Sequence, residues 1–231
     1  MYFMVNEKNK VIFGWSAKCG CSHIKNLFYF FIDDNIDNKI HTNRDVCNLP
    51  INLTDYTVIL FIRNPYKRIV SGFLDKYQKN GEFRNRWKNK NIPITFNNFV
   101  NELCSINNNF TIVDKHHFTQ QLSEHFNKNI LFHKNKIIYD IEKIDYSNLE
   151  KLFNKKIPEE VLNFKGNHIY SGGVDVNYSV YDFPIDTIIE KQLKPQINFF
   201  FNKEIKNKID NFYKIDFVFF RTNGFDYKLE L

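Results

Sequence analysis

A chain of 231 residues fits one domain spanning 1–231, and 43% hydrophobic with 17% aromatic residues suffices for a full core. The formal net charge of +6 suits an anionic ligand, an acidic substrate or nucleic acid, without choosing among them. No apolar run approaches the roughly 18 residues of a membrane span and nothing resembles a signal peptide, so the expectation is a soluble protein, cytoplasmic or otherwise, without an anchor.

Residues 1–9 read as an edge strand or a loose end. Val11-Ile12-Phe13-Gly14-Trp15 is a short apolar run rich in β-formers. A polar turn follows, Ser16-Ala17-Lys18-Cys19-Gly20-Cys21-Ser22, and then Ile24, Leu27, Phe28 and Phe31 fall on one helical face. Strand, loop and helix in this order present helix N-terminal N–H groups to an anion, with the Lys18 charge beside them. The Walker A order G-x-x-x-x-G-K-[ST] is missing, because here the Lys precedes the Gly.

Residues 33–52 are polar and irregular, with a possible strand over 45–49. Val58 to Ile62 is a continuous apolar run, as in a strand buried on both faces of a parallel sheet, and Arg63 stands at its C-terminal end. Asn64 can cap a following helix over 64–80, and Pro65 fits its first turn. An Arg at a strand end with the Ser71 hydroxyl nearby can grip a phosphate. Residues 80–93 form a basic loop or lid around Trp87, and Thr95 to Leu103 reads as a capped helix. Ile137 to Ile141 reads as a strand, and 147–153 and 158–163 read as helices. Of the four cysteines, Cys19 and Cys21 stand too close for a zinc pair, and Cys47 and Cys104 have no partner spacing; all four are expected as thiols, with no metal site.

Two of these stretches resemble the 5′-phosphosulfate and 3′-phosphate motifs of sulfotransferases that use 3′-phosphoadenosine 5′-phosphosulfate (PAPS), nearest to the Golgi-type carbohydrate sulfotransferases, sulfotransferase family 2. AKCGCSHIK is similar to the family loop PK-x-G-[CS]-[ST]-x-x-K. FIRNPYKRIVSGFLDKY is similar to F-x-R-[DN]-P-x-x-R-x-x-S-x-[YF]-x-x-K, with Arg63, Pro65, Arg68 and Ser71 at the family spacing. Asp114-Lys-His-His-Phe-Thr-Gln-Gln resembles the D-x-H-[WF]-x-P-Q element, with Thr119-Gln120 where Pro is usual. The loop from Lys165 and the tail from Ile205 to Tyr227 match weakly. Lys25 and Arg68 match family positions, Arg68 being read as a solvated helix charge.

The resemblance implies a P-loop-type α/β three-layer sandwich with a central parallel sheet of about four or five strands flanked by helices. It implies sulfuryl transfer from PAPS to a hydroxyl, most naturally of a carbohydrate. The donor would be held by Lys18, Cys19, Gly20, Cys21, Ser22, His23, Arg63 and Ser71, with Lys18 acting on the leaving phosphate and no metal. A His base completes the chemistry. His41, upstream of Arg63 as is the catalytic His of uronyl 2-O-sulfotransferases, ranks first and His117 second; His116, His168 and Glu142 are fallbacks. The expected partner is a glycan or other hydroxyl-bearing acceptor, with no nucleic acid and an open oligomeric state. Two other classes stand beside this: a P-loop kinase of a small molecule, which lacks the G-K-[ST] order, and a non-catalytic glycan- or nucleic-acid-binding protein using Trp87 and the basic loop.

Overall fold

The computed structural model describes residues 1–33, 48–81, 83–87, 90–105, 113–122, 130, 132–164 and 173–231. Backbone proximity divides the chain into two units, Met1–Arg63 with Gln121–Asn167, and Asn64–Gln120 with His168–Leu231.

The first unit carries the sheet. Strands β1 (Tyr2–Asn6), β2 (Val11–Trp15), β3 (Thr57–Ile62) and β4 (Lys136–Asp140) lie in the order β1-β2-β3-β4. β1 is an antiparallel edge, whereas β2, β3 and β4 run parallel, with Phe13 opposite Ile59 and Leu60 opposite Ile138. The unbroken apolar runs of β2 and β3 are buried almost throughout, as a strand covered on both faces requires. Helix α1 (Cys21–Asp33) links the first two parallel strands and lays Ile24, Leu27, Phe28 and Phe31 into a core with Phe13 and Phe61. Helices Tyr146–Phe153 and Glu159–Leu162 close that core with Leu149 and Val161. Phe31 stacks on Phe153 with centroids 4.1 Å apart. This is the expected mixed α/β architecture with a mostly parallel central sheet of four strands, consistent with a P-loop-like sandwich.

The second unit is helical around an aromatic core. Helix α2 (Pro65–Tyr77) is capped as its sequence foretells, the Asn64 side chain accepting from Tyr66 N and Pro65 opening the first turn. Short α3 (Arg84–Trp87), α4 (Phe96–Leu103) and α5 (Lys115–Phe118) follow, with Thr95 capping α4. The tail helices Lys203–Phe212 and Lys214–Thr222 supply Ile205, Ile209 and Phe220 as buried side chains. A small parallel pair, Val174–Val176 with Leu193–Pro195, completes the unit.

Two expectations change here. Trp87 is only 2% exposed and donates its indole N–H to Ile92 O at 3.2 Å, so it is a core side chain and offers no stacking face to a ligand. Arg68 is 1% exposed and donates to Thr119 O at 2.7 Å; it is a buried brace within the unit, not a solvated charge. The possible strand over 45–49 falls largely outside the described residues, and 48–49 are not strand.

Candidate active site

β2 ends at Trp15 and α1 begins at Cys21, leaving five residues to turn the chain. Cys19 N–H closes the turn on Ser16 O at 3.0 Å, and Ile24 N–H starts the helical ladder on Gly20 O at 3.0 Å. Lys18 (φ 64°) and Gly20 (φ 69°) are both left-handed. Alternating backbone handedness of this kind turns successive N–H groups toward one concavity, an anion-binding geometry. No acidic residue stands in the first turn of α1 to compete for that positive end.

The side chains of the loop divide their duties. Cys19 is fully buried and its thiol donates to Gln121 Oε1 at 3.1 Å, whereas Cys21 is half-buried. Lys25 is 5% exposed, with its ammonium 5.3 Å from the Trp15 ring centroid. His23 Nε2 is hydrogen-bonded to Tyr146 Oη at 2.8 Å, and burial pushes the imidazole below its ordinary value of 6.5.

Arg63 emerges one residue beyond β3. Its guanidinium Nη1 donates to Lys18 O at 3.0 Å, and its Nε pairs with Glu142 Oε1 at 3.3 Å. The structure thus brings two of the sequence-derived site stretches, the Lys18 loop and the end of β3, into direct contact within one unit. Both are positive and lie at the C-terminal ends of adjacent parallel strands, the usual ligand edge of an open α/β sheet. These donors fit a phosphate or phosphosulfate group. Among the described residues, no three His, Cys, Asp or Glu side chains group as metal ligands.

Gln121 had no role assigned from the sequence, and it is the centre of this arrangement. It is 0% exposed. Its carboxamide accepts from Arg63 N at 3.0 Å and donates to Arg63 O at 2.8 Å, while its own carbonyl accepts from Ser16 Oγ at 3.3 Å. The prior signal is its place as the last residue of the Asp114-Lys-His-His-Phe-Thr-Gln-Gln stretch.

The other predicted residues lie in the second unit or beyond description. Ser71 sits half-buried on α2. His117 lies on α5, and its Nδ1 is hydrogen-bonded to Asp114 Oδ2. Asp114 also caps α5 by accepting from His116 N and His117 N. Burial alone would raise the Asp114 carboxyl; the His117 hydrogen bond and neighbouring charge outweigh it and hold the group below its ordinary 3.8. A carboxylate bound to Nδ1 fixes the tautomer and orients the ring. His41, Cys47 and His168 lie outside the described residues.

The model of the sulfotransferase family matches residues 1–223, across both units. The chain belongs to the sulfotransferase family. No curated protein and no solved structure gives a significant match. As a sulfotransferase the protein is an enzyme that moves a sulfuryl group from a donor. No helix among the described residues is long and apolar enough to cross a membrane.

Proposed function

We propose that this sulfotransferase takes its sulfuryl group from PAPS and delivers it to a hydroxyl of a carbohydrate, with a histidine as general base. The observation that carries the donor assignment is the 3.0 Å contact between the Arg63 guanidinium and the Lys18 carbonyl, which joins the two anion-holding stretches. PAPS, when bound, supplies the sulfuryl group and departs as adenosine 3′,5′-bisphosphate. Lys18, the N–H groups of Gly20 to Ser22 and the positive end of α1 are assigned to the 5′-phosphosulfate, where they offset the charge that builds on the leaving oxygen. Cys19 and His23 shape that loop. Arg63 and Ser71 are assigned to the 3′-phosphate, the group that distinguishes this donor from ATP. No metal is assigned, because lysine and backbone donors meet the same charge.

Between the two proposed bases, His117 carries the better support. Asp114 holds Nδ1 and so fixes the tautomer and the orientation of its ring. The test is labelled-sulfate transfer from PAPS to a panel of glycans, peptides and small alcohols. Transfer to a glycan is expected, with His117→Ala lowering kcat about 10²–10⁴-fold and leaving donor binding intact. Asp114→Asn is expected to fall in the same direction, because the amide still caps α5 but holds the ring less well. If His41→Ala alone abolishes transfer, the base is His41; if only peptides or phenols are sulfated, the carbohydrate assignment fails.

A further inference from the structure

The geometry points to Gln121 as a positioning residue that sets the spacing between the Lys18 loop and Arg63. A carboxamide offers two donors and an acceptor oxygen with two lone pairs. Gln121 spends them on both sides of the proposed donor site. Nε2 and Oε1 take the two backbone groups of Arg63, at 2.8 and 3.0 Å, as a neighbouring strand would. The second lone pair of Oε1 takes the buried Cys19 thiol at 3.1 Å, and the main-chain carbonyl takes Ser16 Oγ at 3.3 Å. Ser16 and Cys19 are the two residues whose backbone groups close the loop turn.

Both the loop, through Cys19, and the residue that carries the guanidinium are therefore tied to one fully buried side chain, and the start of the loop, Ser16, to the main chain of the same residue. On the preceding residue, Ile62 O is held separately by Ile141 N–H at 2.9 Å, so β4 fixes the strand while Gln121 fixes what lies beyond it. Gln121 itself presents no exposed atoms to a ligand, and so it acts through Lys18 and Arg63. Binding an anion at two points is sensitive to their separation at the level of about 1 Å, which one unmade buried hydrogen bond can shift.

The assignment uses the proposed donor for its binding readout, so the test adds a second readout that does not. Gln121→Met keeps volume and removes the three carboxamide hydrogen bonds to Cys19 and Arg63, leaving the main-chain carbonyl to Ser16 Oγ. Gln121→Glu keeps acceptance from Arg63 N but cannot donate to Arg63 O. Met4→Ala, a buried change on β1, serves as a control for lost stability alone. In the ligand-free full chain, Gln121→Met is expected to speed amide hydrogen exchange at 16–22 and at Arg63 beyond anything seen in Met4→Ala. Titration with adenosine 3′,5′-bisphosphate is expected to show Kd at least tenfold weaker in Gln121→Met, an intermediate loss in Gln121→Glu, and an unchanged acceptor KM. Exchange equal to that of Met4→Ala, or binding within twofold of wild type, overturns the role. If wild type shows no saturable binding, the donor assignment fails and the exchange result alone decides for or against Gln121.

Discussion

At the scale of single residues, burial sets the chemistry of the loop. His23 has one ring nitrogen on Tyr146 Oη, and its Nδ1 is buried with no hydrogen-bond partner among the described residues. Protonation would place an extra N–H in that dry setting, so the folded value lies below the unfolded one near 6.5. In the window below 6.5 the unfolded chain binds the proton and the folded chain does not. The contribution is therefore full above pH 6.5 and is lost as pH falls from there toward the folded value. Melting curves at pH 7.5 and 5.5 are expected to show a drop in Tm that is smaller in His23→Gln. An equal drop in both proteins would show that His23 titrates as it does in the unfolded chain. Asp114 and Gln121 belong to the same scale: each is a buried polar group whose partners, not its type, define what it does. Sequence pattern presented Asp114 only as the first residue of a family-like element; that it both caps α5 and holds His117 Nδ1 is seen in the structure.

At the scale of elements, the packing of α2 on α5 depends on one missing side chain. A Cβ built on Gly72 would stand 2.6 Å from Phe118 Cε1 and 2.9 Å from its Cζ. The Phe118 ring is fully buried, with its centroid 4.7 Å from that of Phe99, and has no room to retreat. Overpacking of this kind costs about 1–3 kcal/mol, against a helix-propensity gain of about 0.5–1 kcal/mol for alanine. Gly72→Ala is expected to lower Tm by about 2–6 °C in a thermal melt, at about 2–4 °C per kcal/mol for a chain of this size. An unchanged or higher Tm would mean that α5 adjusts freely. The caps at Asn64 and Thr95 were legible in advance, because capping is written in two or three adjacent residues. The burial of Trp87 was not. A basic loop with one aromatic looks like a ligand surface until α3 turns the indole inward.

At the scale of the whole molecule, the net charge of +6 and the family match leave the donor to be decided by binding. A ligand that binds only the folded chain raises stability by about 2.7 kcal/mol at a concentration of 100 Kd. Adenosine 3′,5′-bisphosphate is therefore expected to raise Tm by about 5–10 °C at that concentration, and adenosine 5′-monophosphate by much less. Equal shifts would remove the 3′-phosphate from the account of Arg63 and Ser71.

The sequence by itself determined the elements. Apolar runs, helical spacing and turn residues act over a few positions, so β2, the loop, α1, β3 and α2 could be read directly. Tertiary structure alone decided what holds those ends together. Gln121 follows Arg63 by 58 residues and Cys19 by 102, and no local pattern encodes a pairing across such distances. It arises only when the parallel strands bring the loop and the end of β3 side by side, leaving buried backbone groups that one carboxamide can satisfy.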